Sequence, residues 1–201
     1  MAEDRLVAIE GGLSEEEALL RDASSGDDAA VRRLYRAHVD RVHRCVARIL
    51  GPHDPDVDDV VQQVFLAALD GRFDGRSKLS TWMVGIATRR ALDASRARAR
   101  RHRWSKVTEW VGLGRPAEAP NARHDALSQA EAALATLTPE QRTVFVLHQV
   151  EGYTFKEISE MTSTGISTLH ARLKAARRRL DELLDELRDE ADPEEATDER
   201  A

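Results

Sequence analysis

Residues 58–103 constrain this chain more than any other stretch, because two helical periods with unlike outer faces follow one another across a single Gly-containing loop. In the first, Val57, Val60, Val61, Val64, Phe65 and Ala68 fall at i, i+3, i+4, i+7, i+8 and i+11, so one apolar stripe must face a core. The opposite face carries Asp59, Gln62, Gln63 and Leu66, which sets a large apolar side chain among neutral amides where a solvated helix would carry Lys and Glu. That face has the chemistry of a partner surface.

The loop at 71–78 contains Gly71 and Gly75, and Leu79, Trp82, Met83, Ile86 and Ala87 then restore the helical period, with Ser80 as the expected cap. Arg89, Arg96, Arg100 and Arg103 follow at spacings of three, four and seven, and residues 89–103 hold seven arginines against one acid, Asp93. A stripe that dense repels itself until a polyanion neutralises it, which predicts phosphate contacts.

The net charge of -6 argues against a nucleic-acid partner only until it is divided. Residues 181–201 hold eleven acids and two bases, so the rest of the chain is net positive. A hydrophobic share of 41% supports real cores, and 33% charged with 4% aromatic residues favours helices over sheets. No apolar run has the length of a membrane span, and the first residues lack an export signal, so a cytoplasmic protein without membrane insertion is expected. Cys45 is the single cysteine; with His38, His43 and His53 it makes no ligand spacing, and no metal or other cofactor is predicted. No phosphate-binding Gly loop with Lys, no Gly-x-Ser-x-Gly and no paired carboxylates stand out, so no enzyme is expected.

Along the chain, residues 1–14 read as a flexible leader, and helical periodicity begins at Glu15 and breaks at Gly26-Asp27-Asp28. Residues 30–50 place Val31, Leu34, Tyr35, His38, Val42, Val46 and Ile49 on one face, and Gly51-Pro52 ends that helix. After Arg103 the apolar period fails, and Gly112, Gly114, Pro116 and Pro120 mark 104–124 as a linker. Beyond it Leu127, Ala130, Ala133, Leu134 and Leu137 make one amphipathic helix, and Thr138-Pro139-Glu140-Gln141 opens another with Val144, Phe145, Leu147 and Val150 on its apolar face. Thr154 and Glu157 form a second capping box before Phe155, Ile158 and Met161. A turn at 162–165, containing Gly165, leads to a helix with Ile166, Leu169, Leu173, Ala176 and Leu180 inward and Ser167, Thr168, His170, Ala171, Arg172 and Lys174 outward. Two short helices about a tight turn, the second with a basic face, predict a helix-turn-helix. The fold class is all-α, two small helical domains joined by a flexible linker. An acidic tail closes the chain.

D-D-V-V-Q-Q-V-F at 58–65, F-D-G-R-S-K-L-S-T-W-M-V-G-I-A at 73–87 and A-L-D-A-S-R at 91–96 resemble region two of the extracytoplasmic-function (ECF) group of bacterial sigma factors. L-T-P-E-Q-R at 137–142, G-Y-T-F-K-E-I-S at 152–159 and T-L-H-A-R-L-K-A-A-R-R-R-L at 168–180 are similar to region four of the same group. The resemblance implies an alternative sigma factor with core RNA polymerase and promoter DNA as partners, and in many members an anti-sigma factor. It implies polymerase contacts at Asp58, Asp59, Gln62, Gln63 and Leu66. Minus-10 DNA contacts follow at Phe73, Arg76, Ser77, Lys78, Trp82, Arg89, Arg90, Arg96 and Arg100, and minus-35 contacts at Thr154, Ser167, Thr168, His170, Ala171, Arg172, Lys174, Arg177 and Arg178. The implied layout is region two at 15–103, linker at 104–124, region four at 125–187 and tail at 188–201. Thr88-Arg89 stands where the group usually has Arg-Asn, and His170-Ala171 where Lys or Arg and Ser are common. The alternative is a dimeric helix-turn-helix regulator that binds DNA without polymerase.

Overall fold

The computed structural model describes residues 15–70, 73–110 and 126–191, with side chains over 15–70, 73–100 and 130–188. The expected leader, Gly71, Arg72, residues 111–125 and residues 192–201 lie outside the described residues. The elements are α1 (Glu15–Ser24), α2 (Asp28–Leu50), α3 (Val57–Leu69), α4 (Leu79–Trp110), α5 (Ala126–Ala135), α6 (Pro139–Phe145), a π turn (Val146–Val150), α7 (Phe155–Thr162) and α8 (Ile166–Ala191). There is no strand among the described residues.

The first body is a bundle of α1 to α4. Asp27 starts α2 by accepting from the amides of Ala29 and Ala30 at 2.7 and 3.3 Å. All six positions of the α3 stripe are buried, and they meet Leu34, Val42, Val46 and Ile49 of α2 and Leu79, Met83, Ala87 and Ala91 of α4. Each fully buried Val or Leu contributes roughly 1.5–3 kcal/mol, so this seam of aliphatic side chains sets the relative rotation of the helices. Burial pushes the Cys45 thiol at its centre up to about 12.

Three expectations change here. Ser80 does not cap α4; the helix begins at Leu79, whose amide donates to Glu16 Oε2 of α1 at 3.3 Å, so a carboxylate 63 residues away supplies the cap. Tyr35, expected on the core face of α2, is 47% exposed and rests its ring against Phe65, 4.8 Å between centroids. The loss of apolar period after Arg103 does not end α4, which runs to Trp110, because residues 104–110 contain no Gly or Pro to break it.

The second body contains α5 to α8. Both predicted capping boxes form: Gln141 N donates to Thr138 Oγ1 at 3.3 Å, and Glu157 N to Thr154 Oγ1 at 3.3 Å, with the side chains of Gln141 and Glu157 returning to the cap amides. The π turn inserts an extra residue into the helical period. Val146 and Leu147 therefore remain buried while Val150, expected on the apolar face, is 46% exposed. Ile166, also expected inward, is exposed at the mouth of the turn, and the left-handed residue of that turn is Ser163, at φ 52°. Leu169, Leu173 and Ala176 pack α8 into the body as predicted.

The two bodies share one core, in which Val144, Leu147, Ile158 and Met161 join the aliphatic side chains of the first bundle. Two arginines cross the seam and each caps a helix of the other body. Arg142, 7% exposed, donates from Nε to the Arg48 carbonyl in the last turn of α2 at 2.7 Å, and Arg89 Nη1 donates to the Met161 carbonyl in the last turn of α7 at 2.7 Å. Those carbonyls lack intrahelical partners and carry the negative end of the helix dipole. Arg48 pairs with Glu151, and Arg41 Nη2 donates to the Tyr153 hydroxyl at 3.0 Å. Gly85 admits Met161, whose Cγ would lie 3.4 Å from a Cβ at that position. Replacing Arg142 by Met is expected to destabilise the chain by about 2–3 kcal/mol through loss of a buried charged hydrogen bond. The check is a lower urea midpoint; an unchanged midpoint refutes the capping role.

Candidate polymerase and nucleic-acid interfaces

Burial of the α3 stripe leaves Asp58, Asp59, Gln62, Gln63 and Leu66 exposed on the opposite side of that helix, with Leu66 at 60%. The fold adds residues that the sequence reading did not assign to this surface. Tyr35, Val39 and His43 of α2 line a groove of about 450 Å³ together with Gln62 and Leu66. His43 Nε2 lies 4.0 Å from Asp58 Oδ1 across it. Each helix taken alone shows half of this groove, and only the α2–α3 packing joins the halves.

The loop before α4 turns at Gly75, where φ is 71° and a Cβ would collide with the Glu17 carboxylate of α1. Asp74 accepts from the Arg76 amide at 3.2 Å, and Arg76, Ser77 and Lys78 are exposed. Phe73 and Trp82 are half-buried and touch, with ring centroids 5.2 Å apart at 58°. Arg76, Lys78, Trp82 and Arg89 face Glu157 and Glu160 of α7 across a cavity of about 390 Å³. Trp82 also lines a hollow of about 580 Å³ with Asp70, Ile86, Arg89 and Arg90.

Along α4, Arg89, Arg90, Arg96 and Arg100 are exposed as residues. Burial of the Arg89 guanidinium, and then the charge of Arg90, lower its pKa. Arg96 Nε donates to Glu140 Oε1 at 2.9 Å. Burial alone would raise the Glu140 carboxyl, but that hydrogen bond and the guanidinium charge hold it below its ordinary value. Arg98, in the same basic run, turns the other way and pairs with Asp54 and Asp56.

In the second body Ser167, Thr168, His170, Ala171 and Lys174 are exposed at the start of α8. Arg172 is half-buried and shares a cavity of about 220 Å³ with Arg89, Arg96 and Glu140. Arg177 Nη2 donates to Gln149 Oε1 at 2.8 Å, and Arg178 lies 3.6 Å from Glu182. The Thr154 hydroxyl is occupied by its cap, donating to Glu157 Oε2 at 2.7 Å and accepting from the Glu157 amide.

Comparison with known proteins finds two family matches along the chain. The family described as Sigma-70 region 2 matches residues 34–101, and Sigma-70, region 4 matches residues 127–180. The chain is 31% identical over 176 residues to the ECF RNA polymerase sigma factor SigE of Mycolicibacterium smegmatis, spanning 80% of this chain and 65% of that protein. It is 30% identical over 170 residues to the ECF RNA polymerase sigma factor SigM of Mycobacterium tuberculosis, spanning 83% of each. In fold it is similar to the sigma factor RpoE solved with the anti-sigma factor NepR from Bartonella quintana, at TM-score 0.58 and 21% identity over 77% of this chain and 96% of that one. CnrH, solved with the cytosolic domain of CnrY, gives TM-score 0.56 and 23% identity over 84% of this chain and 96% of that one. With both sigma regions present in order and a relative at 30% identity covered over most of its length, the chain belongs to the ECF sigma factors of bacterial RNA polymerase.

Proposed function

We infer that this chain is an alternative sigma factor that joins core RNA polymerase and directs it to promoters through minus-10 and minus-35 DNA. The observation that carries the reading is the phase of α3, whose buried valines leave Gln62, Gln63 and Leu66 exposed as one amide-and-apolar face. A dimeric regulator could bury such a face between its subunits, but the matches to both sigma regions disfavour that alternative. The work done is binding work. Unstacking a base costs a few kcal/mol, which stacking on Trp82 and Phe73 and phosphate contacts from Arg76, Lys78, Arg90 and Arg100 offset. No helix among the described residues is long and apolar enough to cross a membrane, which fits a partner of cytoplasmic polymerase. The RpoE neighbour's anti-sigma factor supports a partner of that class for this chain as well.

The reading also demands movement. Minus-10 and minus-35 elements lie about 25 base pairs apart, roughly 85 Å of duplex at 3.4 Å per pair. Arg89 and Arg96, proposed for one element, and Arg172, proposed for the other, line a single cavity. The two bodies therefore separate when both elements are held, with residues beyond Trp110 serving as the connector.

The direct test is transcription by core polymerase over a randomised promoter library with and without the chain. The expected result is a new set of start sites with a shared upstream consensus, and identical start sites in both arms would refute the function. Gln63→Ala combined with Leu66→Ala is expected to weaken polymerase binding about 30-fold at unchanged melting temperature, since truncating central interface residues costs roughly 2 kcal/mol. Separation of the bodies has its own check. A Cβ at Gly85 would lie 3.8 Å from Met161 Cβ, the usual disulfide spacing of about 3.8 Å. Gly85→Cys with Met161→Cys is expected to cross-link on oxidation, silence transcription, and recover on reduction, while buried Cys45 stays out of the exchange. Full activity of the cross-linked protein would show that the seam need not open.

A further inference from the structure

A row of three rings ties the start of α8 to the rest of its body. The Phe155 ring lies 3.9 Å from that of His170, centroid to centroid, with 32° between planes, and 4.3 Å from that of His148 at 33°. His148 Nδ1 is 2.8 Å from the Tyr153 carbonyl oxygen. A carbonyl only accepts, so Nδ1 carries the hydrogen, which fixes the tautomer and the plane of that imidazole. Tyr153 is itself buried and held through its hydroxyl by Arg41. The row thus runs from an anchored, buried end, through the π turn and the first residue of α7, to an exposed ring on α8.

His170 has the opposite environment to a core histidine. Ser167 and Lys174, one turn before and one turn after it on α8, are both exposed. A long basic side chain at such a position must be ordered when DNA arrives, whereas a ring already stacked on Phe155 has lost that freedom beforehand. We propose that Phe155 and His148 are positioning residues for minus-35 recognition, holding the His170 imidazole in one plane so that a ring nitrogen meets a purine acceptor at one base pair in the major groove. The proposal rests on the sigma reading, in which the start of α8 enters the minus-35 groove. The groove edge of a purine offers N7 as an acceptor, which an imidazole N–H of fixed direction can select.

The experiment uses the full chain with core polymerase and a promoter library randomised in the minus-35 element. His170→Ala is expected to reduce discrimination at one base pair by about 5- to 10-fold, within the range of a single base contact. Phe155→Leu should reduce discrimination at the same pair, Phe155→Tyr should restore it, and Phe155→Leu with His170→Ala should be no worse than His170→Ala alone. His148→Gln, which keeps a donor for the Tyr153 carbonyl and removes the ring, provides a milder second probe and should shift the same pair. Additive losses, or a uniform fall across all promoters with a lowered melting temperature, would mean that the rings serve packing only. An unchanged preference in His170→Ala beside a selective wild type would overturn the proposal and leave the sigma reading intact. Absence of selectivity in the wild type would instead remove the sigma reading, and this inference with it.

Discussion

The rotation of α4 against α2 and α3 governs the rest of the molecule. Leu79, Met83, Ala87 and Ala91 recur every four residues and are fully buried, which leaves a single permitted phase for the helix. At about 100° per residue, Arg89, Arg96 and Arg100 then fall on the side opposite Ala87, whereas Arg98 falls within about 20° of it. Arg98 accordingly meets Asp54 and Asp56 in the turn after α2, and its sequence neighbours meet solvent or the second body. One apolar seam thus sorts a run of identical residues into an inward-paired member, Arg98, and outward-facing ones.

The seam between the bodies works by a different balance. Exposed ion pairs such as Arg96 with Glu140 contribute roughly 0–1 kcal/mol and are screened by salt. The larger contributions come from Leu147 and Met161, which are buried, and from Arg142, whose desolvated guanidinium sits on the end of α2. The arginine stripe is partly satisfied by protein groups while the bodies are closed. DNA phosphates would compete for Arg89 and Arg96 with a backbone carbonyl and one carboxylate, both weaker partners than a polyanion.

Much of this was legible in the chain itself. The α3 stripe, both capping boxes, the helix-turn-helix and the inward leucines of α8 are local patterns, each governed by residues within a turn or two of one another. What was not legible depended on distant partners or on a shift in helical phase. Glu16 as the cap of α4 and Tyr35 as a groove wall follow from elements adjacent in space and remote in sequence. Val150 turned outward because the π turn changed the period, and nothing in the local pattern singled out Ser163 as the left-handed residue of the 162–165 turn.

Short-range spacing alone specifies a helical fold class with sigma regions two and four in order, because amphipathic periods, caps and basic runs are local patterns. Packing across the fold sets which basic side chains are paired, joins α2 to α3 in one groove, and brings the second body against Arg89 and Arg96 of α4. Those outcomes arise from burial, which couples residues such as Arg48 and Arg142 across 94 positions of chain and leaves no trace in local pattern.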